Sequence, residues 1–304
     1  MGMAIKHIRT TYTTVIFITV FFVVVGCGDG KKAGAEANLT GEALTNNVGG
    51  VRTWNCGDSG GNVIATLKDN GMLIVSGMRA MADYDYHTGF PPWHDIKDSI
   101  TNVVIEHGIT SIGNEVFEGC TSLISISIPN SVKRIGNHAF MSCSNLTSVM
   151  IPNSVTYIGF GVFCCTGLTS VTIPDSVKRI REGTFAICEN LMSVIISGSV
   201  TYIEPFAFNG CINLISVSIP NNVREIGMSA FEACNGLTSI IVQNPTPPQL
   251  GICAFRKIDE NGDVIEDKAC LYVPANNVAA YRVAEEWKKF KCIKPLESVP
   301  AGTK

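Results

Sequence analysis

Charge is what this sequence has least of: charged residues make up 16% of its 304 positions, and the formal net charge is −3. Soluble domains usually carry about 25%. With so few cations, no footprint for nucleic acid is expected. No apolar run approaches the roughly 20 residues needed to span a bilayer. The 12 cysteines include no C-x-x-C pair, so no metal centre is expected. His87, His94, His107 and His138 have no ligand or triad spacing. There is no acid–base pair, nucleophile constellation or glycine-rich phosphate loop, which argues against an enzyme and against a cofactor. What is abundant is apolar content, 46%, enough for a core and incompatible with global disorder.

Two stretches imitate chemistry without supplying it. "CGDSGG" (Cys56–Gly61) contains the pentapeptide that surrounds the nucleophile of chymotrypsin-like proteases, but the sole histidine before Ser59 is His7. Those enzymes need their histidine and aspartate upstream of the serine, so a glycine-rich loop is expected here. "DENGDVIED" (Asp259–Asp267) groups five acids, yet Val264 stands where a calcium loop requires glycine. A solvated hairpin turning at Asn261-Gly262 is the expectation.

The N-terminus reads as an export signal. Lys6 and Arg9 precede "VIFITVFFVVV" (Val15–Val25), which is the length of a secretory apolar region. The run ends in "VVGC", similar to a bacterial lipobox, and this likeness implies that Cys27 carries the lipid anchor. Gly28 follows it, so the aspartate that commonly retains such lipoproteins in the inner membrane is missing. The expectation is a cell-surface, outer-membrane lipoprotein, with signal peptide 1–26 and a flexible Gly-, Ala- and Asn-rich tether over 27–50.

"SVKRIGNHAFMSCSNLTSVMIPN" (131–153) is followed at once by the near-copy "SVTYIGFGVFCCTGLTSVTIPD". Six units start at Gly108, Ser131, Ser154, Ser176, Ser199 and Asn222, at offsets of 23, 23, 22, 23 and 23 residues. That period marks a solenoid, whose units bury their apolar residues against one another. Within a unit, Val149 and Ile151 alternate as in a strand. Val132 and Ile135 suggest a second short strand, and Ala139, Phe140 and Cys143 are spaced like a helical turn. Stacking at about 4.8 Å per coil generates three inward ladders. The first is Phe117, Phe140, Phe163, Phe185, Phe208 and Phe231; the second is Leu123, Leu146, Leu168, Leu191, Leu214 and Leu237. The third is Cys120, Cys143, Cys165, Cys188, Cys211 and Cys234. Equivalent side chains one coil apart are too distant for ready disulfide closure, so free thiols acting as small hydrophobes are expected. The third unit is one residue short between Phe163 and Cys165, and its helical turn is expected to be tightened or distorted. Cys56, Cys253, Cys270 and Cys292 lie off the ladder, and spacing does not pair them.

The pattern S-V-x-x-I-G-x-x-A-F-x-x-C-x-x-L-x-S-V-x-I-P-x resembles the BspA-like branch of the leucine-rich repeats over residues 100–273. The resemblance implies an α/β, β-rich leucine-rich-repeat solenoid of about seven coils. Residues 51–99 are expected to form a β-rich N-terminal cap, with a hairpin at Asp69-Asn70-Gly71, and 100–250 the solenoid. Residues 251–304 are expected to hold the last coil, its insertion and a helical C-terminal cap with Val278, Tyr281, Ala284 and Trp287 on one face. The resemblance also implies adhesion or protein binding, with a partner on a host or neighbouring cell; capture of a surface glycan is the alternative.

The candidate ligand face is the outward side of the longer strands: Ser125, Ser127, Ser148, Met150, Ser170, Thr172, Ser193, Ile195, Ser216, Ser218, Ser239 and Ile241. It combines small hydroxyls with adaptable apolar groups and carries neither charge nor aromatic ring. A second stripe alternates Lys133-Arg134 and Lys178-Arg179 with Thr156-Tyr157 and Thr201-Tyr202 before Arg224-Glu225. Alternation separates like charges by roughly 10 Å, near one Debye length.

Overall fold

Each repeat turns the chain once around a solenoid, and the reason is legible in its hydrogen bonds. The computed structural model describes residues 51–58, 62–259, 261–265 and 268–299. Ser59, Cys27, the export segment and the tether fall outside them. A coil contributes a longer strand such as Ser170–Ile173, a two-residue strand such as Arg179–Ile180, and a turn holding the phenylalanine. Both strand types pair in parallel with the same residues of the next coil, as in Ser193↔Ser170 and Arg179↔Tyr202.

The expected helical turn is not a helix. Its N–H groups are shared between two systems. Phe117, Phe140, Phe163, Phe185, Phe208 and Phe231 donate to the next coil at 2.7–3.0 Å, while Cys143 and Leu146 donate three residues back within their own coil. This division needs left-handed residues on either side of the phenylalanine; examples are His138 (φ 52°) and Ser142 (φ 61°) around Phe140. The fold is therefore mostly β, with about eight turns where seven were expected, and little helix. Serine at the start of the repeat adds a further ladder: Ser154 Oγ donates to Val132 O at 2.8 Å and Ser199 Oγ to Val177 O at 2.9 Å.

Inside, the phenylalanines stack face to face, with centroids 5.0–5.6 Å apart and planes within 11°. Phe255 extends the stack into a seventh coil, and Trp93 and Trp287 close its ends. The Cys143, Cys188, Cys211 and Cys234 thiols each donate to the carbonyl of a phenylalanine one coil back, at 3.1–3.2 Å. They are free. Burial pushes Cys120 and Cys188 up to about 12, so they stay neutral and inert.

Coil three corrects the thiol ladder. Thr166, not Cys165, takes the inward place; it is buried, donates to Phe163 O at 2.8 Å and meets Cys188 Sγ at 3.3 Å. The missing residue falls after this position, at Gly167, where an added Cβ would lie 2.3 Å from Ser144 O. The turn keeps its shape, because its N–H groups must still reach the neighbouring coils. The sheets are interrupted beside the shortened coil. Tyr157–Ile158 and Arg179–Ile180 do not pair, and residues 147–151 form no strand.

Before the first coil, β1 (Arg52–Asn55), β2 (Asn62–Leu67) and β3 (Met72–Ala80) form an antiparallel meander. β3 then joins both parallel sheets by turning a corner at Gly77. Only glycine fits there: φ is 117°, and a Cβ would sit 1.9 Å from Asn62 O. At the other end the helix α1 (Val278–Val283) is shorter than expected. Ala284 is extended and Glu286 left-handed, so Trp287 reaches the core from a separate 3-10 turn. Tyr281 and Trp287 pack edge to face at 5.4 Å, anchored on Asn244 O and Pro248 O.

Cys270 and Cys292 are disulfide-bonded. They are equivalent residues of adjacent strands, with Cα atoms 4.7 Å apart. Parallel register thus permits bridging where side chains face outward and can lean together; the inward thiols are held by their carbonyl partners.

Candidate functional site

The outward face of the longer strands divides into an open part and a covered part. Met150 is 83% and Ile195 64% exposed, and Ile124, Met192 and Ile215 are each just over half exposed. Ser125, Ser127, Ser148, Ser170, Thr172 and Ser193 are exposed among them. Register places Ile195 beside Thr172, and Ser193 beside Ser170. Met192 N–H donates to Thr169 O, and Ile215 N–H to Met192 O, which aligns these two apolar side chains on successive coils.

Toward the C-terminus the face closes. Ser216 and Ser218 are half-buried, and Gln243 Nε2 donates to Ser218 Oγ at 3.2 Å. Ser239 and Ile241 are each only 6% exposed, so they are not available to a ligand. Their row continues into Tyr272 of the strand Cys270–Val273, and the 3-10 turn Leu296–Ser298 packs against that strand. Burial beside Tyr272 removes this end from the candidate surface.

The second stripe has a physical basis that charge spacing alone did not reveal. Arg179 Cζ lies 4.0 Å from the Tyr202 ring centroid; Arg134 and Arg181 lie 5.5 and 4.5 Å from that of Tyr157. Cation–π contact of this kind contributes about 0.5–1 kcal/mol at exposed sites. Arg134 also meets Asp83, and Arg179 meets Glu204, each at 3.2 Å. The alternating Arg and Tyr residues were visible in sequence, and the repeat period puts them on neighbouring coils. The Tyr157 ring that a sugar would use is shared with two guanidinium groups.

The imitated chemistry has structural explanations. Asp259 spends its carboxylate oxygen on the N–H groups of Asn261 and Asp263, shaping the expected hairpin, where Gly262 has φ 85°. Among the described residues, no three or more His, Cys, Asp or Glu side chains converge as a metal group would require.

The model of the BspA type leucine rich repeat region matches residues 95–204 and 178–265 in six copies, more than half of the chain. Among solved structures, a leucine rich repeat protein of T. pallidum is 28% identical, with a TM-score of 0.44; the match covers 57% of this chain and 86% of that one. One from Eubacterium ventriosum is 20% identical, with a TM-score of 0.43 and coverage of 81% and 86%. A leucine rich cell surface protein from Faecalibacterium prausnitzii is 24% identical, with a TM-score of 0.40 and coverage of 65% and 73%. No curated protein matches the chain. With six copies of the repeat covering the solenoid, the chain belongs to the BspA-type leucine-rich repeat family.

Proposed function

We propose that this chain is an exported, lipid-anchored binding protein that engages a protein partner through the open part of its longer-strand face, without catalysing a reaction. The observation that carries the reading is the row of uncovered aliphatic side chains, Met150 and Ile195 foremost, on a strand surface without charge. Exposed apolar groups on a rigid scaffold mark interaction sites, and repeat solenoids bind along such extended surfaces. The strands Ser170–Ile173 and Ser193–Ile196 are paired in register, so little ordering entropy opposes association at Ile195. Tyr86 (79% exposed), in the loop before Trp93, favours the alternative of glycan capture, since it is an exposed ring touched edge-on by His87; the Phe90 ring is stacked on His94 at 4.1 Å. Capture of host matrix proteins in pull-downs, with a silent glycan array, is the expected result. A positive array with no protein captured would replace this reading by the glycan one.

The anchor has its own test. Cys27→Ser is expected to move the protein from the membrane fraction to the soluble fraction. Stable attachment needs more than one acyl chain, which a lipidated N-terminal cysteine supplies. A variant that stays in the membrane fraction, processed like the parent, would remove the lipid anchor from the proposal.

A further inference from the structure

The third coil carries a pair of adjacent thiols found nowhere else in the repeat. Cys164 and Cys165 fill the two places between Phe163 and the inward Thr166, which Met141 and Ser142 fill one coil back, and each is half-buried. Their sulfurs lie 3.6 Å apart. The backbone beneath them is held from both sides: Cys165 N–H donates to Ala186 O at 2.9 Å, and Cys164 O accepts from Ser142 N–H at 2.8 Å. Cys165 adopts a left-handed φ of 59°, shared with Ser142 and Ile187 at the same place in adjacent coils, so the pair sits on a preformed turn.

We propose that Cys164 and Cys165 form a dithiol site that chelates one soft, thiophilic centre, such as a trivalent arsenical, through both sulfurs. The proposal is independent of the protein-binding reading. Thiolates are the ligands of choice for soft centres, and two sulfurs already adjacent avoid the cost of gathering them. The pair differs from the ladder thiols in ionisation as well as position. The hydrogen bond shared by the two sulfurs lowers the Cys165 thiol, against the opposing effect of burial, and raises Cys164. With an organoarsenic(III) oxide, both S–H bonds and the As=O bond give way to two As–S bonds; the two protons leave with the oxygen as one water, and no oxidant is needed.

The test uses phenylarsine oxide on the folded, full chain with the Cys270–Cys292 bridge intact. Intact mass is expected to show one arsenical bound with loss of one water, resistant to a monothiol challenge and blocking alkylation of Cys164 and Cys165 in peptide maps. Cys164→Ser and Cys165→Ser should each abolish the resistant adduct with melting unchanged, while Cys253→Ser should retain it. An adduct that survives both substitutions, or no adduct on the parent, would overturn the proposal. So would peptide maps showing that the pair is already joined by a disulfide that mild reductant leaves intact.

Discussion

Phe208→Ala lowers the unfolding free energy by about 3–5 kcal/mol, the range for deleting a large side chain from a packed core. Phe208 is fully buried between Phe185 and Phe231, with centroids at 5.3 and 5.0 Å and planes within 10°. The cavity cannot collapse easily, because the coils on both sides are tied through Phe208 N to Ala230 O and Phe185 N to Ala207 O. Two stacked contacts are lost as well, each worth about 0.5–1.5 kcal/mol beyond burial. In a one-dimensional array the damage falls on both interfaces of the coil, so urea unfolding should separate into two transitions, one for each half. A single transition shifted by less than about 1 kcal/mol, typical of ordinary substitutions, would show that the stack is not the principal core.

Met150→Asp with Ile195→Asp abolishes partner binding and leaves folding stability within about 0.5 kcal/mol, as exposed substitutions usually do. Met150 and Ile195 are the most exposed of the aliphatics on the face. An aspartate at either site adds a charge that any apolar partner must desolvate, in addition to the lost contact. If these side chains are anchors, each is worth about 2 kcal/mol or more, and the double change takes affinity below detection. Binding by the parent should respond weakly to salt, since no charges are paired on this face. Affinity that survives both substitutions but collapses with salt would move the site to Lys133, Arg134, Lys178 and Arg179. The Ser239 and Ile241 positions offer no equivalent test, because they are buried.

Sequence by itself determined whatever repeats. A residue at a fixed place in a 23-residue coil meets its own counterpart one coil away, so the phenylalanine and leucine ladders, the parallel register and the outward face followed from spacing alone. The turns at Gly71 and Gly262 were legible for a different reason: each needs a positive φ that glycine adopts freely. Only tertiary structure decided where the repeat is broken or ends. In coil three, aligning the cysteines put the missing residue before Cys165; the neighbouring coils' carbonyls, which the turn must reach, put it at Gly167 and Thr166 inside. At the C-terminus, no counterpart coil exists to predict from. There strand pairing brings Cys270 beside Cys292, Ser239 and Ile241 are buried beside the strand Cys270–Val273, and a separate 3-10 turn carries the Trp287 ring to the end of the stack. Neighbour contacts in a solenoid are encoded by local sequence, whereas its interruptions and ends depend on contacts between segments that share no period.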